Sequence, residues 1–252
     1  MIVLSSFIFV LALNFVGFII AYLLKSDKLT DLMYGLSFIA IAIYAFMSGT
    51  KTPSSAILLL LIFLWGTRIA VFLVIRIFNI KKDSRFDGIR EIFWKFGFFW
   101  VMQAVTSLVI MILSIYFFQK DSSISWISIV GLCIWLIGFF FETVADIQKF
   151  RFNNNPNNAG KFINVGLWSL SRHPNYFGEI VMWCGIYIYV FSGLSILERF
   201  VSLSSPILII VLLLFVTGIP KLEKYADKKW GKDKNYQKYK ENTPQLIPKS
   251  RF

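Results

Sequence analysis

The chain has 252 residues, of which 57% are hydrophobic and only 16% are charged, and its formal net charge is +12. A soluble globular domain of this length cannot cover so much apolar surface, so the composition excludes that class. It indicates an integral membrane protein.

Apolar segments of about 20 residues are long enough to cross a bilayer as helices. The sequence predicts seven of them, in chain order 2–24, 30–49, 55–78, 96–118, 125–147, 176–193 and 201–219. The first lacks a basic leader and a small-residue cleavage pattern, so we expect a retained helix rather than a signal peptide. Because the spans occupy nearly all of residues 1–252, we expect one all-α membrane bundle that forms a single domain.

Lysine and arginine are concentrated on one side of this predicted topology. Alternate loops and the C-terminal tail carry most of them, whereas the other loops carry only Lys51, Lys120 and Arg199. By the positive-inside rule the rich side is cytoplasmic. We therefore expect the N-terminus outside and the tail in the cytoplasm. Topology and attraction to anionic membrane lipid account for the charge, and no nucleic acid partner is needed.

Ionisable side chains lie within or beside the spans near the same cytoplasmic side: Asp31, Arg68, Arg76, Glu142, Asp146 and Glu179. Such groups usually face a wet cavity or the bundle interior. Helical spacing places Glu142 and Asp146 on one face, and Asn175, Glu179 and Trp183 on one face of another helix. The pattern predicts a polar chamber open to the cytoplasm. The alternative is a set of ion pairs that only hold the helices together.

Three further segments are polar. Residues 171–179, SRHPNYFGE, contain the only histidine of the chain, His173. Residues 151–161, RFNNNPNNAGK, are expected to form a loop rather than a helix extension. The basic tail, residues 220–252, mixes aromatic residues with lysines. It is expected to lie on the membrane surface, to fold over the chamber as a lid that contributes cations to an anionic ligand, or to do both.

The sequence lacks the signatures of several common enzyme classes. It has no GxGxxG or GxxxxGK[ST] motif and no GxSxG elbow, and its one histidine and two cysteines cannot build an ordinary zinc site. We expect no metal. What remains is a polar pocket beside a lipid-accessible core, which suits a soluble anionic cofactor and a hydrophobic substrate. Basic residues hold phosphate or carboxylate, and Trp and Tyr stack on a flat ring.

A family resemblance is carried by SLSRHPNYFGE followed by Trp183, by FETVADIQKFRF upstream, and by WGKDKNYQKYKENTPQLIP downstream. These segments resemble the steroid 5-alpha-reductase superfamily, and more narrowly its DUF1295 branch of bacterial membrane proteins, over residues 65–248. The superfamily includes the sterol C14 and C7 reductases, and the isoprenylcysteine carboxyl methyltransferases share a related Arg-His-Pro signature. The resemblance implies a seven-helix bundle in a bacterial inner membrane that binds NADPH from the cytoplasmic side.

The resemblance also implies the positions that hold the cofactor. They are Arg68, Asp146, Arg172, Asn175, Glu179 and Trp183, with Glu223 and Lys224 in the tail and the loop residues Asp83 and Arg85 as further candidates. Arginine suits a phosphate group, and a tryptophan packs against a ring. Asn175 and Glu179 suit an amide or ribose hydroxyls.

The expected proton donor departs from the family pattern. Steroid 5-alpha reductases have a catalytic tyrosine where this chain has Trp65, paired with a glutamate in an earlier helix for which Asp31 or Tyr34 could substitute. The groups with suitable acid–base chemistry are Tyr176, His173 and Tyr34.

Three functions are compatible with these residues. The first is an NADPH-dependent reductase of a carbon–carbon double bond in a lipophilic small molecule, sterol-like or another lipid. The second is an S-adenosylmethionine-dependent methyltransferase of a lipid or lipidated substrate. The third is a non-catalytic lipid-binding membrane protein. The reductase fits Asn175, Glu179 and Trp183 best, and nothing in the sequence indicates an obligate protein partner.

Overall fold

The computed structural model describes residues 1–79, 86 and 88–249, with side chains for 1–75, 86 and 88–249. These residues contain no β-strand. Their α-helices are α1 (Ile2–Leu23), α2 (Lys28–Met47), α3 (Pro53–Asn79), α4 (Phe93–Phe118), α5 (Trp126–Asn154), α6 (Pro174–Val190), α7 (Ile196–Ser202), α8 (Ser204–Val211), α9 (Ile219–Trp230) and α10 (Lys234–Asn242).

Within the described residues, seven helical segments are long and apolar enough to cross a membrane: Ile2–Leu23, Lys28–Met47, Pro53–Ile75, Phe93–Phe118, Trp126–Asn154, Pro174–Gly193 and Ile196–Trp230. The predictions of an all-α fold and of seven spans are thereby confirmed, and the protein is an integral membrane protein.

The last span is not one straight α-helix. It consists of α7, α8 and a π-helical stretch, Leu212–Val216, before the charged helix α9. Pro206 lies in the first turn of α8, where a residue without an N–H is tolerated. A new helix therefore begins after Leu203, a break that the apolar composition of the segment does not reveal.

The expectation that residues 151–161 form a loop is wrong at its start, because α5 continues to Asn154. The helix stops where Pro156 follows, since a proline disfavours the helical conformation of the residue before it. Asn155 is accordingly extended, and its side chain accepts a hydrogen bond from the Asn157 backbone N–H at 3.0 Å.

The chain forms two compact units, and the first comprises residues 1–125 and 190–205. Inside it, a buried amide network joins three helices: the Asn14 Nδ2 donates to Ser37 Oγ at 2.9 Å, and the Gln103 Nε2 donates to Asn14 Oδ1 at 3.1 Å. Hydrogen-bonded polar side chains of this kind connect helices in apolar surroundings.

The second unit comprises residues 126–189 and 206–252. It holds α5 and most of α6, followed by most of α8, then α9, α10 and the tail. The segment before α6 includes a short helical turn, Gly166–Ser169, whose Trp168 indole donates to the Ala145 carbonyl of α5 at 3.0 Å. This unit contains the polar segment around His173.

Candidate functional site

Glycines bring α5 and α6 into direct backbone contact. A side chain added at Gly138 would meet the backbone of Met182 and of Gly178, and one added at Gly185 would meet the backbone of Trp135. Small residues at a membrane helix interface allow this approach. The two helices run antiparallel, so the C-terminal half of α5 faces the start of α6.

This contact aligns the two polar stripes predicted from helical spacing. Glu142, beside Gly178, is buried, as is Asp146 one turn later. The Asn175 Nδ2 donates a hydrogen bond to Asp146 Oδ1 at 3.2 Å. The stripes of α5 and α6 therefore meet at one end of the helix pair.

The tail lies along the segment that precedes α6. The Arg172 N–H donates to the Pro244 carbonyl at 2.9 Å, and the Lys249 N–H donates to the Leu170 carbonyl at 3.0 Å. The Ser171 hydroxyl donates to the Leu246 carbonyl at 2.7 Å. Residues 244–249 are thus held against residues 170–172 by main-chain and side-chain hydrogen bonds.

A network of hydrogen bonds and ion pairs joins His173 to the two tail helices. Glu223 of α9 lies 2.8 Å from His173 Nε2 and 3.3 Å from Arg172 NH1. Lys240 of α10 lies 3.5 Å from Glu223 and 2.6 Å from Asp227. Side-chain exposure rises along the series His173, Glu223, Lys240 and Asp227, from 6% to 14%, 35% and 47%. The network therefore runs from a buried imidazole to the surface.

Burial decides the protonation of His173. It lowers the pKa of the imidazole below its ordinary value of 6.5 and outweighs the hydrogen bond to Glu223, which acts in the opposite direction. A neutral imidazole carries one proton, and an ionised carboxylate only accepts. The proton is accordingly on Nε2, which donates to Glu223, and Nδ1 is left as an acceptor.

A cavity of about 440 Å³ lies between the end of α5, the segment 153–173 and the tail helices. Four cations line it, Lys149, Lys161, Arg172 and Lys229, and Glu223 is the only carboxylate among its described lining residues. Aromatic residues complete the wall: Phe162, Trp168, Tyr225, Trp230, Tyr236 and Tyr239. The volume lies within the range of small-ligand sites, about 300–1,000 Å³.

The aromatic wall is held by specific contacts. The Trp230 indole donates to the Gly160 carbonyl at 2.6 Å, and the Tyr239 hydroxyl donates to the Trp168 carbonyl at 2.6 Å. Phe162 packs between them, 6.1 Å from the ring of Trp230 and 5.4 Å from that of Tyr239, centroid to centroid. These rings are fixed before a ligand arrives.

Three buried polar atoms of the polar segment have no hydrogen-bond partner among the described residues: Arg172 Nε, His173 Nδ1 and Asn175 Oδ1. Leaving such a group unpaired costs about 1–3 kcal/mol. Three of them within four residues, one a donor and two acceptors, are what a polar ligand would satisfy.

The structure brings many of the predicted residues together. Asp146, Arg172, His173, Asn175 and Glu223 form the cluster described above. The ring of Tyr176 stacks on His173, with centroids 5.7 Å apart and planes at 11°.

The other predicted residues are described by the elements that carry them. Glu179 and Trp183 lie further along α6, where Trp183 is fully buried, and Lys224 is exposed on α9. Tyr34 and Arg68 belong to the first unit, where Tyr34 packs against Phe38, and Phe38 against the buried Trp65, with ring centroids 5.0 Å and 4.9 Å apart. Asp83 and Arg85 lie outside the described residues.

Asp227 and Lys240 belong to the network but were not predicted as site residues. Asp227 follows Glu223 by one helical turn, so helical spacing places it on the same face as a predicted residue and could have identified it. Lys240 has no such signal, because its partners lie 13 and 17 residues away in the sequence, on another helix.

Comparison with known proteins gives one family match and two local similarities. The model of the family described as "Protein of unknown function (DUF1295)" matches residues 17–243. The chain is similar to the Delta(14)-sterol reductase erg24 of Schizosaccharomyces pombe, 33% identical over 69 residues, which cover 21% of this chain and 16% of that protein.

It is also similar to the Probable O-methyltransferase ustE of Ustilaginoidea virens, 46% identical over 46 residues, which cover 18% of this chain and 16% of that protein. The chain thus spans about one sixth of the length of either relative. No solved structure matches it.

Proposed function

The chain belongs to the DUF1295 family, and from that premise we propose that it is a membrane-embedded reductase that uses NADPH to saturate a carbon–carbon double bond in a lipophilic substrate. The observation that carries the proposal is the charge of the cavity wall, where four cations face one carboxylate. Such a wall attracts a strongly anionic ligand. The local similarity to a sterol reductase supports the same reaction class.

The donor set of the site fits a phosphorylated dinucleotide. Lys149, Lys161 and Lys229 would pair with phosphates, and the fixed rings of Trp230 and Tyr239 offer faces for a base. Arg172 Nε and Asn175 Oδ1 are the buried groups that would bond its sugar or amide groups. When bound, NADPH supplies the hydride.

The residues of the chain would supply the proton and hold the site in shape. Tyr176 stacks on His173 at the start of α6, so both acid–base groups are fixed in one place. Glu223 fixes the His173 tautomer through Nε2. A proton delivered to substrate carbon would come from Tyr176 or His173, with Tyr34 of the first unit as the remaining candidate.

A methyltransferase is the second candidate, because of the local similarity to an O-methyltransferase. Its cofactor, S-adenosylmethionine, carries a sulfonium and an ammonium against a single carboxylate and is therefore a net cation. The four cations of the cavity wall disfavour a cationic ligand. Charge thus supports the reductase over the methyltransferase.

The site faces the cytoplasm in this proposal, because the lysine-rich loops and tail mark that side. A fluorescent protein that matures only in the cytoplasm, fused after Phe252, is expected to fluoresce. Alkaline phosphatase, which is active only outside the cytoplasm, is expected to be inactive at the same position. An active phosphatase fusion with a dark fluorescent fusion would reverse the orientation.

The cavity assignment is tested with two neighbouring lysines of α9. Lys229 lines the cavity, whereas Lys228 is exposed and does not. Removing one charge-assisted contact to a phosphate costs about 1.5–3 kcal/mol, so Lys229→Ala is expected to weaken NADPH binding about tenfold or more. The measurement is quenching of protein fluorescence by NADPH in detergent solution.

Lys228→Ala is the matched control, because it removes the same charge from the same helix. It is expected to bind NADPH like the wild type. Equal losses in the two variants would mean that the lysines act only through the overall charge of the protein, and the cavity would no longer be the proposed binding site.

A further inference from the structure

Helix α9 has two chemically different faces. At about 3.6 residues per turn, positions 222, 226 and 230 lie on one side and positions 221, 224 and 228 on the opposite side. Leu222, Ala226 and Trp230 line the cavity. The opposite side consists of lysines, and we call Lys221, Lys224 and Lys228 the outer lysine stripe.

The positive charge of the outer lysine stripe is not neutralised by nearby carboxylates. All three lysines are exposed, and none of their side chains has an ion pair or hydrogen bond among the residues that the structure describes. The nearby carboxylates of α9 pair with other groups, since Glu223 contacts Arg172 and His173, and Asp227 contacts Lys240. The stripe therefore presents unneutralised positive charge.

The outer lysine stripe lies at the charged end of the segment Ile196–Trp230, the last of the candidate membrane spans, after the apolar part of that segment. Phe215 and Val216, in the π-helical stretch before α9, are 71% and 50% exposed, as expected of residues in contact with lipid tails. Tyr225, which also lines the cavity, flanks the stripe and is 60% exposed. Aromatic side chains of this kind are enriched at the level of lipid headgroups. A helix in this position lies beside headgroups rather than in bulk water.

We propose that the outer lysine stripe of α9 binds the headgroups of anionic phospholipids. Clusters of lysine beside a membrane helix are attracted to anionic leaflets. Because the opposite face of the same helix forms the cavity wall and carries Glu223 to His173, the bound lipid holds that wall in place. The inference stands on the stripe alone and does not depend on the identity of the cofactor.

The test compares two short-chain lipids in neutral detergent, phosphatidylglycerol and phosphatidylcholine of equal chain length. The measurement is the lipid concentration that gives half of the maximal rise in melting temperature of the full-length protein. Phosphatidylglycerol is expected to act at a lower concentration than phosphatidylcholine. The ratio of the two half-maximal concentrations is expected to reach on the order of a hundredfold at low salt. Substitution of the three stripe lysines by Gln is expected to remove this preference.

A second triple variant provides the control. Lys232→Gln, Lys234→Gln and Lys238→Gln change the net charge equally at exposed positions of the neighbouring segment, and this variant is expected to keep the preference. Loss of the preference in both variants would overturn the proposal, as would equal action of the two lipids on the wild type. A comparable rise in melting temperature with inorganic phosphate alone would also overturn it, because the stripe would then be a general anion site.

Discussion

At the scale of single residues, His173 connects the tail to the start of α6. Its Nε2 donates a hydrogen bond to Glu223 of the tail, its ring stacks on Tyr176, and its Nδ1 is buried without a hydrogen-bond partner among the described residues. The density of polar residues in the segment 171–179 and the i, i+4 spacing of Glu142 and Asp146 predicted where this cluster lies.

The partners from the tail were less predictable. Glu223 was expected only through the family resemblance, and Lys240 was not expected as a site residue at all. Each reaches the cluster because the tail folds back over the start of α6, through the hydrogen bonds of Pro244 and Leu246. Such contacts between distant segments leave no periodic pattern in the sequence.

The pKa of His173 gives a prediction at this scale. It lies below 6.5 in the folded protein, whereas the unfolded chain titrates near 6.5. The unfolded state therefore binds a proton first as the pH falls, so the contribution of a neutral His173 to stability is full above pH 6.5 and is lost below it. The loss approaches about 1.4 kcal/mol per pH unit until the folded pKa is reached.

Two measurements check this prediction. The melting temperature of the wild type is expected to fall more steeply between pH 7 and pH 5 than that of His173→Gln. Because the chain has one histidine, ¹³C-labelled histidine gives a single imidazole signal whose titration reports the pKa directly. A value at or above 6.5 would mean that the hydrogen bond to Glu223 outweighs burial.

At the scale of elements, the α5–α6 contact positions the site. The length of the apolar runs predicted both helices. It did not predict that α5 would extend to Asn154, or that the last span would break near Leu203 into α7 and α8. Those features depend on Pro156 and Pro206. The heptad spacing of Gly131 and Gly138, matched by Gly178 and Gly185, is visible in the sequence, but only the structure shows that these glycines face one another.

Gly138→Ala is expected to destabilise the protein by about 1–3 kcal/mol, the usual cost of overfilling a packed interface. The new methyl group would meet the Met182 backbone and lie 2.6 Å from the Gly178 carbonyl oxygen, and neither can move without separating the helices. The measurement is thermal unfolding in detergent.

Gly97→Ala in α4 is the matched control. Its added carbon would lie 3.4 Å from the Phe18 ring, an ordinary contact. Since alanine favours a helix over glycine by up to about 1 kcal/mol, this variant is expected to be neutral or more stable. Equal destabilisation by the two substitutions would contradict the role given to the α5–α6 contact.

At the scale of the whole molecule, composition predicted the membrane class, the helical fold and seven spans. It did not predict how the chain divides into two compact units, because that depends on which helices pack together. The reaction class rests on the charge of the cavity wall and on similarities that cover about one sixth of each relative. The choice between the two cofactors is therefore the central claim.

The most direct test is the thermal stability of the purified full-length protein with NADPH or with S-adenosylmethionine. A ligand that binds the folded state stabilises it by about 2.7 kcal/mol at a hundred times its dissociation constant. We predict that NADPH raises the melting temperature and that S-adenosylmethionine does not. Stabilisation by S-adenosylmethionine without any by NADPH would contradict the reductase and support the methyltransferase.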